Sequence, residues 1–310
     1  AALLGSACGP APEDASAGIP VLTVVQSSVR IGDPHIVSDG LAAMSIIKTI
    51  YDALVATDAQ GGYQPALAER WALSDDARTW TFHLRDGVTF HNGETLTSDD
   101  VVATMARVLD PSIGGAFGTE GVYLSYLGSA EISAPDESTV QIVTQDPMAD
   151  LLDLVVDMPI SPASALADLP NSYVGSGPYR IVEHSEERLV VAAHPDYWGG
   201  TPDYQEIQWL AEGDPAARTD AVLQGRADIA AGIGIRGKDQ IAAASGAEEG
   251  ARAHEMDSGL AIIFMINALD GPGQDPRVRQ PVVAVEFDDD RLAAGLADAV
   301  EGVPGAAAVL

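Results

Sequence analysis

A chain of 310 residues with 46% hydrophobic and 20% charged residues can form about two folded domains, and it is too apolar to be intrinsically disordered. Its 46 acidic and 16 basic side chains give a formal net charge of −30, which repels phosphate groups and excludes a nucleic-acid-binding protein. The acidity predicts a well-solvated surface, with an acidic site for cationic ligands as the alternative.

The N-terminal segment contains the only cysteine of the chain, Cys8. A single cysteine excludes an internal disulfide and a zinc site built from several thiolates. Cys8 follows an apolar run, residues 1–7, and precedes a small, turn-rich stretch, residues 9–18, which resembles a secretory signal that ends in a lipobox. The resemblance implies that Cys8 carries a lipid and that residues 1–18 are a signal remnant and tether. A lipobox prefers leucine three positions before the cysteine, where this chain has Gly5, so an incidental cysteine at a frayed terminus is the alternative.

The first predicted elements are a strand, a loop and a helix. Residues 21–25 form a short apolar run that predicts a buried strand. Residues 28–39 follow as a loop that contains the run Asp-Pro-His. Apolar side chains at helical spacing then predict a helix over residues 41–54. This order is typical of an α/β layer, in which the loops that leave strand ends bind ligands.

A second pattern begins after the first helix. Residues 79–90 alternate apolar and polar side chains, which predicts antiparallel strands. Thr97 then caps a helix that has acidic residues in its first turn and ends before Pro111. Residues 130–143 predict two further strands around a turn at residues 134–137. Together these elements predict a small α+β module inserted after the first helix.

The following elements alternate between strands and helices. Strands are predicted at residues 179–183, 188–194, 207–210, 228–230 and 260–266. Asp214 caps a helix over residues 215–224. The glycine loop at residues 174–178 lacks the Lys-Ser/Thr of a P-loop and the third glycine of a dinucleotide fingerprint, which excludes a phosphate-binding loop. The alternation favours mixed α/β layers.

Four runs carry a specific resemblance to a known family. They are LRDGVTFHNGETLTSDDVVATMARVLDP at residues 84–111, VGSGPYRIVEHSEERLVVAAHPDYWGG at 174–200, DPAARTDAVLQGRADIA at 214–230 and DPRVRQ at 275–280. The runs and their order resemble the family 5 extracellular solute-binding proteins, the oligopeptide, dipeptide and nickel-binding components of ABC importers. The resemblance covers residues 21–280. The motifs encode turns, caps and core faces, so they identify the scaffold rather than the ligand.

The resemblance implies a two-lobed α/β fold of the periplasmic-binding-protein type (type II) with an inserted α+β subdomain. The expected divisions are a first lobe at residues 19–55 and 166–265, an inserted subdomain at residues 56–165, and the start of a second lobe at residues 266–310. Family members run longer, and Pro281 interrupts the helix expected at that point. We therefore expect the second lobe to be largely missing and the chain alone to retain ligand weakly or not at all.

The implied function is that of a substrate-binding subunit that captures short peptides outside the cytoplasmic membrane and delivers them to the permease and ATPase of an ABC importer. Other solutes, such as nickel complexes and sugars, stay open because one fold serves many ligands. Contacts with the solute are expected from the loop after the first strand and from the crossing between lobes: Val29, Arg30, Ile31, Asp33, Pro34, His35, Phe264, Met265 and Asn267. The alternative function is a structural or sensor lipoprotein without transport, or an inactive fragment of the same fold.

The expected location is extracytoplasmic, with the protein held at the outer face of the membrane or free in the periplasm. No apolar run reaches the ~18 residues of a membrane-spanning helix. The lipid on Cys8 is therefore the only membrane attachment that we expect.

The sequence predicts a binding protein and not an enzyme. The elbow G-x-S-x-G is not formed around Ser176, and the six histidines lack evident partners. His83 and His91 flank a turn and could form a metal pair, but solvated strand histidines are the expected interpretation. We predict no cofactor and no metal. Three aromatic residues are expected to pack rather than to bind solute: Tyr179, Tyr197 and Trp198.

Overall fold

The computed structural model describes residues 21–36, 40–58, 60–113, 119–156 and 158–244, together with residue 252. Its strands are β1 (Val21–Gln26), β2 (Val55–Thr57), β3 (Tyr63–Pro65), β4 (Ala68–Leu73), β5 (Thr79–Leu84), β6 (Glu131–Asp136), β7 (Thr139–Val143), β8 (Tyr179–His184), β9 (Arg188–Ala193), β10 (Glu206–Ala211) and β11 (Ile229–Ala230). Its helices are α1 (Gly40–Ile50), α2 (Ser98–Val108), α3 (Thr119–Leu127), α4 (Leu151–Val155), a 3₁₀ helix (Ala163–Asp168), α5 (Pro215–Leu223) and α6 (Gly234–Ala244). Within these described ranges, no helix has the length and apolar character needed to cross a membrane.

Strand β1 lies inside a five-stranded mixed sheet with the order β11-β1-β10-β9-β8. It pairs in parallel with β10 and β11, and the pairs β10–β9 and β9–β8 are antiparallel. The register places Val24 opposite both Trp209 and Ile229. The strands that the sequence predicts between residues 179 and 230 are confirmed to within one residue at each end. A mixed sheet whose strands alternate with helices along the chain agrees with the mixed α/β layers that the sequence predicts.

Helix α1 covers this sheet with a buried apolar stripe. Its residues Ile46, Ile47 and Ile50 share one core with sheet residues Leu189, Val191 and Trp209. The predicted extension of the helix to residue 54 is wrong. In a longer helix the Leu54 N–H would bond to the carbonyl of Ile50, but that carbonyl accepts the N–H of Gly177 at 2.9 Å. Leu54 instead packs in a second core, which belongs to the inserted module.

The inserted module is built on a four-stranded antiparallel sheet with the order β4-β5-β7-β6. Its core is made of large apolar side chains that include Phe82, Phe90, Met105, Leu127 and Ile142. Helix α2 begins as the sequence predicts. The carboxylate of Asp100 accepts the N–H and the hydroxyl of Thr97, both at 2.9 Å, and the N–H of Ala163 at 2.8 Å. One carboxylate thus fixes the start of α2 and ties it to the 3₁₀ helix.

The turn between β6 and β7 differs from the prediction at residues 134–137. Strand β6 continues through Asp136, whose Oδ1 accepts the N–H of Ser138 at 3.0 Å in an aspartate turn. Pro135 suggests a turn in the sequence, but β6 is an edge strand, where proline is tolerated. The sequence does not predict six further elements, because their apolar side chains show no clear helical or strand periodicity: β2, β3, β4, α3, α4 and α6.

Candidate functional site

The carboxyl ends of the three parallel strands form one edge of the five-stranded sheet. The loops that leave this edge are residues 27–36 after β1, residues 212–214 after β10 and residues 231–233 after β11. The strands and loops are joined here, because Glu212 N–H donates to the Gln26 carbonyl at 2.8 Å and Ala231 N–H donates to the Val25 carbonyl at 2.9 Å. Ligands of open α/β sheets bind outside the carboxyl ends of the strands. We therefore take these three loops as the candidate site and call them the carboxyl edge.

Residues 29–32, which we call the rim, form the first part of the loop after β1. Their exposure alternates as in a strand: Val29 and Ile31 are buried in the core, whereas Arg30 and Gly32 are exposed. The Arg30 side chain is 77% exposed, and its guanidinium lies 3.3 Å from Glu186. Within the described ranges, the carbonyl of Arg30 and both main-chain groups of Gly32 make no hydrogen bond. The rim thus offers a positive charge and free main-chain groups at two exposed positions.

The start of the loop is held by the buried side chain of Gln26. Its Nε2 donates to the carbonyl of Ser28 at 2.8 Å and to the carbonyl of Ala42 in α1 at 3.0 Å. Its Oε1 accepts the hydroxyl of Ser45, also in α1, at 3.1 Å. The amide therefore fastens the beginning of the loop to the first helix.

The end of the loop is held by three buried side chains, Asp33, His35 and Arg107, which we call the clamp. Arg107 comes from α2 and donates two parallel bonds to the Asp33 carboxylate, Nη2 to Oδ2 at 2.5 Å and Nη1 to Oδ1 at 3.1 Å. Only 11% of the arginine side chain and 9% of the aspartate side chain are exposed. The bidentate geometry is the strong form of a charge-assisted pair. The clamp therefore joins the loop to the inserted module.

His35 completes the clamp as a neutral ring. Its Nδ1 lies 2.9 Å from Arg107 Nη1, which can only donate, so Nδ1 accepts and Nε2 carries the proton. Nε2 then donates to the carbonyl of Pro159 at 2.9 Å. Burial holds the pKa of His35 well below 6.5 and Arg107 lowers it further, although the bond to Pro159 acts in the opposite direction. The ring is therefore uncharged at neutral pH.

The other two loops of the carboxyl edge are tied together by Arg218 of α5. Its guanidinium donates to the carbonyls of Glu212 at 2.6 Å and Gly213 at 3.1 Å in the first loop. It also donates to the carbonyls of Ala231 at 2.9 Å and Gly232 at 2.5 Å in the second loop. Arg218 is buried and no described carboxylate pairs with it, so four carbonyl dipoles stabilise its charge.

The structure places the predicted site residues in different environments. The buried ones are Val29, Ile31, Pro34 and His35. The carboxylate of Asp33 is paired with Arg107, and Arg30 faces solvent. Their contact with a solute stays a prediction. Cys8, Phe264, Met265 and Asn267 lie outside the described residues.

Sequence patterns missed three side chains that shape the edge, namely Gln26, Arg107 and Arg218. Arg107 lies in the last turn of α2, where the helix dipole favours a cation. This local effect already accounts for an arginine here, so the sequence does not indicate its contact with Asp33. Arg218 follows a capping aspartate by four positions and reads as a surface residue of α5.

The motifs that carry the family resemblance meet at Asp52, just after α1. The Asp52 carboxylate accepts the hydroxyl of Ser176 at 3.0 Å, the indole N–H of Trp198 at 2.8 Å and the hydroxyl of Tyr197 at 3.4 Å. The guanidinium of Arg85 lies 4.4 Å from the ring centre of Trp198. Burial raises the pKa of Asp52, and the three hydrogen bonds oppose this shift. Tyr197 and Trp198 therefore have internal partners, as expected for packing residues.

The two histidines considered as a metal pair have separate partners. His91 Nε2 bonds to the carbonyl of Gly177 at 3.0 Å, and its ring lies 5.0 Å from that of His194. His83 Nδ1 lies 3.5 Å from the hydroxyl of Thr139. Among the described residues, no group of three or more histidine, cysteine, aspartate or glutamate side chains is placed to hold a metal ion.

A cleft of about 200 Å³ lies between α1 and the inserted module. Its lining includes Lys48, Tyr51 and Asp52 on one side and Thr57, Val156 and Pro159 on the other. It shares Pro159 with the hydrogen bond of the clamp. At this volume the cleft is smaller than a typical small-molecule site of ~300–1,000 Å³.

Comparison with known families places the chain among binding proteins. Residues 62–284, well over half of the chain, match the model described as bacterial extracellular solute-binding proteins, family 5. All four quoted runs, at residues 84–111, 174–200, 214–230 and 275–280, lie inside this match.

Curated relatives share part of this chain. The periplasmic oligopeptide-binding protein OppA of Haemophilus influenzae is 27% identical over 190 residues, which cover 54% of this chain and 34% of that protein. The di/tripeptide-binding protein 4 of Pseudomonas aeruginosa is 31% identical over 53% of this chain and 36% of its own length. The glutathione-binding protein GsiB of Shigella boydii is 28% identical over 68% and 41%. The matched region thus spans between a third and two fifths of these relatives.

Solved structures show the same fold. The binding protein AgaA of A. tumefaciens, in complex with agropinic acid, is 31% identical with a TM-score of 0.66 over 72% of this chain and 46% of its own. DppA of Helicobacter pylori, in complex with a peptide, is 25% identical with a TM-score of 0.63 over 72% and 48%. MoaA of A. tumefaciens, in complex with mannopinic acid, has a TM-score of 0.69 over 85% and 55% at 24% identity, which supports the fold alone.

Proposed function

Because this chain belongs to the bacterial extracellular solute-binding proteins of family 5, we propose that it captures a small solute outside the cytoplasmic membrane and delivers it to an ABC importer. The observation that carries the proposal is the family match over residues 62–284, which includes β10, β11 and their two loops at the carboxyl edge, whereas β1 and the rim precede it. This family consists of binding proteins, so the edge is expected to hold a solute without changing it.

Short peptides are the solute class that we propose first. Curated relatives are named for oligopeptides, di- and tripeptides and glutathione, and the structure of DppA contains a peptide. The exposed rim residues Arg30 and Gly32 have free main-chain groups, and such groups pair with a peptide backbone whatever its side chains are. The exposed guanidinium of Arg30 can contact a peptide carboxylate.

The clamp keeps the charges behind the rim balanced. Asp33 and Arg107 neutralise each other through two bonds, and His35 is neutral. A solute at the rim would therefore meet one exposed ion pair, Arg30 with its surface partner Glu186. This supports recognition through the main chain and one terminal charge.

The wider assignment includes the domain divisions and the location. The proposed first lobe comprises residues 19–55 and 166–265, the inserted subdomain residues 56–165, and the start of the second lobe residues 266–310. The proposed location is outside the cytoplasmic membrane, with a lipid on Cys8 and with the permease and ATPase as partners.

The test uses the natural polypeptide that contains these residues, purified from its own membrane. Thermal unfolding would be measured with dialanine, trialanine, tetra-alanine, glutathione and agropinic acid, and calorimetry would follow for any solute that stabilises the protein. Micromolar binding of an alanine peptide is the expected result. Binding of agropinic acid alone would overturn the peptide assignment and leave solute capture standing, whereas binding of glutathione alone would limit the assignment to that γ-linked tripeptide. If no solute binds at millimolar concentration and deletion of the gene leaves trialanine uptake unchanged, the importer role is wrong and a structural or sensor lipoprotein is favoured.

The same measurement locates the site with two matched variants. Arg30→Gln removes a charge from the rim and is expected to weaken binding of the stabilising peptide. Arg226→Gln removes another exposed arginine, which lies just before β11 at the amino ends of the parallel strands. Equal affinities for both variants would place the solute away from the rim.

A further inference from the structure

The rim is anchored by the buried side chains of Val29 and Ile31, whereas its main chain is fixed almost entirely from its two ends. Inside it, the Arg30 N–H bond to the Ser28 hydroxyl at 3.1 Å is the main-chain hydrogen bond found within the described ranges. Gly32, with φ of 66°, then joins the rim to the clamp in the left-handed region that favours glycine. A glycine link tolerates many directions of the chain, so the clamp on its far side determines where the rim points.

We propose that Arg107 is the positioning residue of the rim: it holds Asp33 and His35 in place and so orients Arg30 and Gly32 toward a solute that it does not itself touch. The proposal rests on the proposed function and adds to it a residue of the inserted module that controls the binding edge of the sheet. Arg107 reaches both residues with one planar group, because Nη1 contacts Asp33 and His35 and Nη2 contacts Asp33.

The geometry requires arginine at this position. A lysine would keep the charge, but its single ammonium on a flexible stem does not reproduce the planar fork that matches a carboxylate. The pair is largely buried, so loss of the arginine leaves Asp33 as an uncompensated charge and His35 Nδ1 without its donor. Both groups would then turn toward water, and Gly32 allows the rim to move with them.

Loss of Arg107 is expected to weaken binding by lowering the fraction of molecules in which the rim is correctly placed. The apparent dissociation constant rises in proportion as the fraction of molecules with a correctly placed rim falls. If that fraction drops to about a tenth in Arg107→Gln, the dissociation constant rises about tenfold. In Arg107→Lys, which keeps the charge, the rise is expected to be smaller.

Two measurements on the full natural polypeptide test the proposal. Hydrogen exchange reports the loop without any solute, because the N–H of His35 bonds to Asp33 Oδ1 at 3.0 Å and the N–H of Ile36 to the Asp33 carbonyl at 3.0 Å. Exchange at these two amides should accelerate about tenfold or more in Arg107→Gln, while the amides of β5 and β7 keep their protection. Calorimetry with trialanine should show the tenfold weaker binding, with Arg107→Lys between the variant and the wild type.

The control variant is Arg188→Gln, which breaks an exposed ion pair with Glu183 at 3.0 Å and should change neither exchange in the loop nor affinity. Unchanged exchange at His35 and Ile36 in Arg107→Gln overturns the proposal, as does faster exchange with unchanged trialanine affinity. If the wild type binds no trialanine, the peptide assignment fails, and the exchange measurement alone decides whether Arg107 holds the rim. Should Arg107→Gln fail to fold, Arg107→Lys is compared with Arg188→Lys in both measurements.

Discussion

Single residues in this protein act by giving several chain segments one shared partner. Asp52 accepts hydrogen bonds from Ser176 in the glycine loop before β8 and from Tyr197 and Trp198 in the loop between β9 and β10. A buried carboxylate with a raised pKa can mark a catalytic site. Here burial within the scaffold raises the pKa of Asp52, and its three donors, which are packing side chains, oppose the rise.

Removal of the Asp52 carboxylate should therefore destabilise the fold. Asp52→Ala leaves three partly buried donors without an acceptor, at an expected cost of about 3 kcal/mol in the free energy of unfolding. Urea unfolding of the variant and the wild type measures this difference. Asp196→Ala, at an exposed aspartate next to the same motif, is the control and should differ little from the wild type. Equal midpoints for both variants would show that Asp52 does not hold the motifs together.

Two histidines with lowered pKa values, His35 and His91, should make the protein sensitive to mild acid. Burial lowers the pKa of His91 from 6.5 to about 4, and burial together with Arg107 lowers that of His35. Below pH 6.5 these histidines bind protons in the unfolded chain but not in the folded chain. Their contribution to the free energy of unfolding is therefore complete above pH 6.5 and is lost as the pH drops toward 4. The loss is at most about 3 kcal/mol for His91. The free energy of unfolding, measured with urea between pH 7 and about pH 4, should depend less steeply on pH in His91→Gln than in His184→Gln, the exposed control. The same pH dependence in both variants would contradict the role given to His91.

At the scale of elements, a close approach joins α1 to the glycine loop before β8. The loop runs so near the end of α1 that a Cβ on Gly175 would overlap the carbonyl of Ile50 and lie 2.8 Å from the ring of Tyr51. A Cβ on Gly177 would lie 2.6 Å from the carbonyl carbon of Ile50. The glycines are needed for this contact, because the N–H of Gly177 could not otherwise reach the helix end.

Gly175→Ala should therefore cost about 3 kcal/mol, since backbone on both sides has to move. Gly213→Ala is the matched control, because a Cβ at that position meets nothing within 4 Å. Thermal unfolding of the two variants separates the effects. A drop of similar size in both would contradict the role of the close approach, because the entropic effect of replacing glycine by alanine alone raises the midpoint.

The elements that the sequence predicts are determined by residues close to one another in the chain. The capping group of α2 is Asp100, three residues after Thr97, and α5 begins at Asp214 with its side chain on the Ala216 N–H at 3.0 Å. The end of α1 was not predictable, because Gly177 from a distant segment takes the Ile50 carbonyl. The candidate loop was predictable from its place after the first strand. Its partner Arg107 was not, because the contact joins positions far apart in sequence and depends on how the two layers pack.

At the scale of the whole molecule, the net charge of −30 is the dominant electrostatic feature. Like charges on one compact body repel each other and favour the expanded state. Salt should relieve this repulsion, because the Debye length falls from about 10 Å at 0.1 M to about 3 Å at 1 M. The thermal midpoint should therefore rise with NaCl over this range. Sucrose of equal osmolality is the control, and a midpoint that rises equally in both solutions would assign the effect to solute exclusion rather than charge.

The strand order has a consequence for how the protein is made. Strand β1 is the first of the described elements to leave the ribosome, yet its partners are residues 206–211 and 229–230. At a synthesis rate of ~5–20 residues per second, β1 waits about ten seconds or longer for its neighbours. During that time its apolar residues have no native partner in the sheet, so the five-stranded sheet cannot form early in translation. A nascent chain of this design keeps its first strand unpaired, and open to chaperones, until residues 206–230 have been synthesised.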